Sequence, residues 1–426
     1  MIHSSETLQM AHALAPTVHE WVRRGFEPAF GKKRFDTDAR WQAVRQAGSE
    51  LWLDTGDVDG ITQLWRSEFS ALTTNNTLLN KEVQRGQYDQ LVRETAAHLR
   101  QREPRIPDAL LLLEIAFVLN AWHGLRLVEH FDAFVSVEEH TDLAHDIELA
   151  VLYGKRFHAI CPERFIVKVP LTAAGLLAMR RLRREGVPIN FTLGFSARQN
   201  LLAARLGNPD YVNVFLGRLN AFTAESGAGS GAGVGEKATV ASQEAIRSLR
   251  ESGQAATRQI AASMRGGEQV WTLAGTDVLT IPLSVARAYH TSATPPPSGA
   301  GPAAAAIETE VSREAARSLR FDVLWDIPDA FRQALDATCA GNVDAMSGAD
   351  LVAALRRHGA TDLFPEYTPD EINAIQQDGK IPKAERWQAR LQAGTTSLDS
   401  LLNLSGLYSF AADQKQLDDR VRGLLG

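Results

Sequence analysis

Arg164-Phe165-Ile166-Val167-Lys168-Val169-Pro170 is the stretch on which the reading of this chain turns. A short apolar run with β-branched residues reads as a parallel strand covered on both faces. Lys168 interrupts it. Lysine is almost never fully buried unless something compensates for taking its charge out of water. Desolvation favours the neutral amine, which is the nucleophilic form used in covalent catalysis. The plainer alternative is a strand-end lysine whose ammonium snorkels to solvent. On position alone that alternative is the better one, and the rest of the chain reverses the balance.

Working outward, strands are expected at 51–54, 71–74, 134–138, 165–170, 189–193, 211–217, 258–262 and 278–283. Helical stretches lie between them, for example 143–160, 173–185 and 236–251, with Thr172 a usable N-cap for the second. Eight strands alternating with helices point to right-handed βα units, and eight is the number that closes a (β/α)8 TIM barrel. An open doubly wound sheet competes, but no Gly-x-Gly-x-x-Gly turn follows an early strand. Residues 1–50 carry no convincing strand, and Trp21, Phe26, Phe30 and Trp41 suit an N-terminal helical cover. The division expected is therefore a cover over 1–50, a barrel over 51–290, a Pro- and Ala-rich linker over 291–306 and a mostly helical region over 307–426. The last thirty or so residues keep helical spacing through Leu417, Val421, Leu424 and Leu425 and should pack on the barrel. Ser226–Gly235 reads as a mobile glycine loop on the active face; without a Lys-Ser/Thr ending, a phosphate cradle is the weaker alternative.

The 426 residues are 44% hydrophobic and 23% charged, an ordinary globular balance, with a formal charge of −6. That charge argues against a surface built for nucleic acid or anionic lipid. Cys161 and Cys339 are the only cysteines, too few for a disulfide framework or a cysteine-rich zinc site, so a cytoplasmic, reducing setting is expected. The start, Met1-Ile2-His3-Ser4-Ser5-Glu6, carries no basic and apolar leader, and no uncharged apolar stretch is expected to span a bilayer.

The expected strand ends are rich in polar groups: Asp54, Asn75, Glu138, Lys168, Asn190 with Thr192, Ser196, Arg218, and Ser263 with Arg265. Alternation turns Ile166 and Lys168 to one side of their strand, and Asn190 and Thr192 to one side of theirs, so that the polar members face the barrel interior. Singly, each has a dull reading as a turn, a helix cap or a surface ion pair. Together they converge on one mouth.

These residues sit in segments that resemble the transaldolase family: Leu-Asp-Thr-Gly-Asp (53–57), Thr-Thr-Asn (73–75), Val-Ser-Val-Glu (135–138), Val-Lys-Val-Pro (167–170), Asn-Phe-Thr-Leu-Gly-Phe-Ser (190–196), Phe-Leu-Gly-Arg (215–218) and Ala-Ala-Ser-Met-Arg (261–265). Phe410-Ala411-Ala412-Asp413-Gln414 looks like the family's closing helix. The resemblance implies that Lys168 forms a Schiff base with a ketose phosphate. Asp54 would act as general acid/base at the C4 hydroxyl, and Glu138 and Thr192 would hold a water that shuttles protons. Asn75 and Asn190 would bind the dihydroxyacetone unit, with Ser196, Asn213 and Phe215 as further substrate-facing residues. Arg218, Ser263 and Arg265 would clamp the phosphate. The implied reaction moves that unit from sedoheptulose 7-phosphate to glyceraldehyde 3-phosphate, in the non-oxidative pentose phosphate pathway. No cofactor or metal is implied, the partners are small sugar phosphates, and a homo-oligomer stays open.

Two departures stand out. Asn213 replaces a serine two residues before the Phe of the 215–218 motif, and Asn76 replaces the proline after Thr-Thr-Asn, which should loosen a turn. A fructose 6-phosphate aldolase is the nearest alternative. That branch replaces the glutamate and carries tyrosine at the position of Phe215, so both residues favour transfer. A non-catalytic sugar-phosphate-binding barrel is the other, and the intact Lys168, Asp54, Glu138 and Thr192 count against it. Residues 291–395, including Gly379-Lys380-Ile381-Pro382, are longer than compact members of the family need, and an extra helical cover, a subunit contact and a lid all stay open.

Overall fold

Eight short strands pair in parallel in sequence order, and the last pairs back with the first to close a barrel. They are β1 (Glu50–Asp54), β2 (Phe69–Thr73), β3 (Phe134–Glu138), β4 (Phe165–Pro170), β5 (Ile189–Thr192), β6 (Tyr211–Phe215), β7 (Arg258–Ala262) and β8 (Val278–Pro282). They belong to a computed structural model that describes residues 4–28 and 30–426. Met1 to His3, the first residues of the stretch read for a leader, lie outside it, as does Ala29.

The fold is the expected TIM barrel ringed by helices, with further helices before and after it. β3, β4 and β7 have the expected bounds. β6 and β8 stop earlier because the helices Leu216–Glu225 and Leu283–His290 start directly after them. The helix expected from 143 begins at Ile147, where the Asp146 side chain accepts from the Leu149 N–H at 3.0 Å and caps it.

Alternation sorts each strand between two cores. Outward residues such as Leu53, Leu72, Val137, Val167, Val169 and Phe191 are buried beneath the helices. Each contributes about 1.5–3 kcal/mol relative to an exposed position. Inward, Trp52, Ala71, Ile166, Ile260, Ala262 and Val278 form a separate apolar plug with Tyr211 packed against it. Above the plug the inward positions turn polar. Register puts Glu138 of β3 and Asn190 of β5 on either side of Lys168 in β4, and Asp54 of β1 beside Thr73 of β2.

The expectation concerned uncharged stretches; one helix with Glu114 and Arg126 inside it is nonetheless long and apolar enough to cross a membrane. The helix Asp108–Phe131 meets that test by length and composition, and 89% of its apolar window is buried inside the protein. It packs against β3 and the helix Ser5–Arg23, so its hydrophobicity on all sides answers to protein neighbours.

The glycine run is also different from its reading. Val234 and Gly235 already belong to the helix Val234–Glu251, and the preceding residues are tied to 308–312. Glu310 N–H donates to Ala232 C=O at 2.9 Å and Ser312 N–H to Ala228 C=O at 2.8 Å. A Cβ on Gly229 or Gly233 would lie 2.0 Å from the carbonyl oxygen of Glu310 or Glu308. The glycines permit this close backbone approach, and none of them lines the cleft described below. Residues 291–306 are tied to the barrel wall as well. Gly301 N–H donates to Ala274 C=O at 2.6 Å, and Ala304 N–H to Glu244 at 2.9 Å.

The helix Leu398–Leu425, about 42 Å long at 1.5 Å per residue, crosses the mouth of the barrel. Its Asn403 donates to Leu193 C=O at 2.9 Å, its Asp413 accepts from the Thr77 hydroxyl, and its Arg420 pairs with Asp89 at 2.7 Å. Near its start Asp399, fully buried, accepts from Arg198 Nε and Nη2, both at 2.8 Å, and from Ser196 Oγ at 2.6 Å.

Candidate active site

A cavity of about 150 Å³ opens at the C-terminal ends of the strands, the end where barrel enzymes carry their chemistry. Lys168 reaches it from β4, 6% exposed, with Nζ donating to Thr74 C=O at 2.6 Å. The ammonium therefore faces inward among acidic groups and does not snorkel to solvent. Two carboxyls flank it, Glu138 buried and Asp54 half-buried. Burial pushes Asp54 above the ordinary carboxylate range, against the pull of the Lys168 charge and of the Thr73 hydroxyl, which donates to it at 2.8 Å. Thr73 is in turn 2.7 Å from the Thr280 hydroxyl. Burial likewise raises Glu138, against Lys168 and the Asn76 N–H, while the nearby Asp54 charge raises it further. Both carboxyls thus take up a proton more readily than free acids do, which suits proton transfer.

Asn76 corrects an expectation. It is the first residue of the helix Asn76–Gln84, and its backbone N–H donates to Glu138 Oε2 at 2.8 Å. Its side chain adds bonds to Glu139 C=O and to Asn120 at 3.1 Å each. The turn is not loosened: a proline there could not supply the N–H that grips Glu138. Asn75 caps the same helix through Oδ1, which accepts from Leu78 N–H at 2.8 Å, and it lines the cavity.

Along the floor, Asn213 Nδ2 donates to Asn190 Oδ1 and Asn190 Nδ2 to Ser136 Oγ, both at 3.1 Å. This chain of amides fixes both asparagines, and Thr192 and Phe215 stand beside them in the lining. The opposite end is cationic. Arg218 is buried between Phe215 and Phe410, 5.6 and 5.3 Å from the ring centres, and its Nη1 has no partner among the described residues. Burial and the neighbouring Arg265 push its guanidinium down to about 10. Two like charges held together with an unmatched donor make an anion site. Ser263 joins them from a left-handed backbone, φ 69°, at the end of β7, and Gly217 leaves room for its carbonyl. A non-glycine residue in that conformation costs of order 1–3 kcal/mol, and such residues concentrate at working sites.

Ten of the twelve expected residues line the one cavity. Glu138 lies behind it, beside Lys168 in the register. Ser196 is the exception, engaged by Asp399 and by capping the helix Ala197–Gly207. Sequence reading gave no site role to Thr280, although Leu279-Thr280-Ile281 is one of the segments that resemble the family, nor to Lys380, from the region after the barrel. A larger cavity of about 1070 Å³ lies between the helices Gly348–Arg357 and Leu398–Leu425 and the β4 loop; Asp146, Glu148, Arg356 and Glu366 are among its lining, and no lysine is.

Residues 51–324 match the family model "Transaldolase/Fructose-6-phosphate aldolase". The chain is 30% identical over 234 residues to the transaldolase of Xanthomonas euvesicatoria pv. vesicatoria, covering 54% of this chain and 71% of that protein. It is 33% identical over 244 residues to a probable transaldolase of Thermus thermophilus, covering 55% of this chain and 88% of the relative.

Proposed function

The chain belongs to the transaldolase/fructose-6-phosphate aldolase family, and from that premise we propose that it transfers a dihydroxyacetone unit from sedoheptulose 7-phosphate to glyceraldehyde 3-phosphate. The observation that carries this reading is Lys168 inside the barrel, its charge acting on Asp54 and Glu138, in the cavity that Arg218 and Arg265 also line.

The neutral Lys168 amine attacks the ketose C2 carbonyl, and the resulting carbinolamine loses water to give an iminium. Glu138, with Thr192, relays the protons of this exchange through a water. Asp54 takes the C4 hydroxyl proton as the C3–C4 bond breaks. The bonding pair flows into the iminium as an enamine, and the aldehyde, erythrose 4-phosphate, leaves. The enamine carbon then attacks glyceraldehyde 3-phosphate while Asp54 returns its proton. Hydrolysis frees fructose 6-phosphate and Lys168. Asn75, Asn190 and Asn213 bind the three-carbon unit; Arg218, Ser263 and Arg265 bind the phosphate. A cytosolic setting suits the two free thiols, Cys161 and Cys339.

Transfer is favoured over simple release of dihydroxyacetone because the Phe215 ring packs between Phe195 and Phe410 and offers no hydroxyl to hold a hydrolytic water. The test is borohydride trapping with fructose 6-phosphate followed by peptide mass mapping. A reduced three-carbon adduct on Lys168 is expected. No adduct, or one on another lysine, defeats the reading, and dihydroxyacetone release as fast as transfer moves it to the aldolase branch.

Asn76→Pro removes the backbone donor at a first helical position, where proline is well tolerated, and Asn76→Ala, which keeps the N–H, controls for the two side-chain bonds lost with it. An N–H bonded to a carboxylate favours its charged form, so losing it raises Glu138 further. The acid limb of the pH–rate profile should move to higher pH, and an unmoved limb would remove Glu138 from the rate-determining protonation.

A further inference from the structure

We propose that Lys380 is the third cation of the phosphate subsite and sets the preference for phosphorylated substrates. This rests on the reading above and extends it to a segment beyond the 51–324 family match. Lys380 lines the same cavity as Arg218, Ser263 and Arg265. It is exposed at the rim, and among the described residues no ion pair or hydrogen bond engages its ammonium.

The turn that carries Lys380 is built to hold it there. Gly379 ends the helix Pro369–Asp378 with φ 76°, a conformation that favours glycine, and donates its N–H to Ile375 C=O at 3.1 Å. Its carbonyl accepts from Ser405 of the mouth-crossing helix at 2.6 Å. Lys383 N–H donates to Asp378 at 2.9 Å, Pro382 is buried, and Ile381 packs on the core. With both flanks pinned, a flexible ammonium is presented to the cavity that Arg218 and Arg265 also line. A phosphate dianion held by Arg218 from within and Arg265 at its side would take Lys380 from the solvent side. Lysine suits that edge, as a mobile point charge that does not need a fixed fork geometry.

The test compares the unmodified protein with Lys380→Gln and Lys380→Arg, after confirming equal melting. For Lys380→Gln, KM for glyceraldehyde 3-phosphate should rise about tenfold, the scale of one charge-assisted contact. Its kcat, its KM for unphosphorylated glyceraldehyde and its borohydride adduct on Lys168 with fructose 6-phosphate at saturation should stay as they were. Arginine should restore most of the loss. Inorganic phosphate, titrated calorimetrically, should bind the glutamine variant about tenfold more weakly, a readout independent of turnover. Unchanged phosphate affinity, or equal losses with both aldehydes, overturns the proposal. Absence of any Lys168 adduct in the unmodified protein would instead strike the transfer reading, while the phosphate titration still decides on Lys380.

Discussion

Lys168→Met is expected to abolish the borohydride adduct and to lower kcat/KM at least about 10⁴-fold, the scale seen when a covalent nucleophile is removed. Methionine keeps an unbranched stem in the β4 register. The fold should hold because Asp54 and Glu138 can take up protons once the neighbouring charge is gone. Only Thr74 C=O loses a direct partner. The carboxyls respond as well: the Lys168 charge is what opposes the burial of Asp54 and of Glu138, so both should protonate more readily in the variant. Steady-state transfer with coupled detection checks the rate, and trapping checks the chemistry. Residual activity above about one per cent of the parent, against the much larger loss expected, or an adduct relocated to Lys81 or Lys380, would show that the β4 amine is not the nucleophile.

Asp399→Ala should damage stability in place of chemistry. The carboxylate is fully buried, accepts two bonds from Arg198 and one from Ser196, and leaves Arg198 with only Asp362, at 3.0 Å, when it is removed. Breaking one side of such a buried pair costs about 3–5 kcal/mol, because the other charge stays desolvated without its partner. Urea unfolding followed by circular dichroism checks the size. Burial alone would raise Asp399, but Arg198 outweighs it and holds the carboxyl below its ordinary value. The stabilisation is therefore intact above the unfolded carboxylate's pKa and is lost as pH falls through the lowered folded value. Parent and variant should converge in acid. A loss under about 1 kcal/mol at neutral pH would mean that the pair contributes no more than a surface bridge does.

Much of the barrel was legible because its strands obey a local rule. β4 reads as covered on both faces with one amine, and the bounds expected for β3, β4 and β7 are those found. The inward polar set followed from period two. What could not be read are relations between distant segments. Ser196 looked like a substrate contact from its place after β5, but its partner, Asp399, lies 203 residues on. The glycine run looked mobile because its flexibility is visible in the sequence and the backbone of 308–312 that it accommodates is not. Lys380 belongs to a turn with no motif, and only the anchoring of Gly379 on Ser405 brings it to the mouth.

The grip on Glu138 comes from main chain, through the amide of Asn76. Side-chain scanning is blind to such a contact: an alanine at 76 would keep the amide, and the position would register only the loss of its bonds to Glu139 C=O and Asn120. In surveys of this cleft by truncation alone, one of the groups that governs its proton inventory would pass unnoticed, and only imino-acid or amide-to-ester replacement would bring it to light.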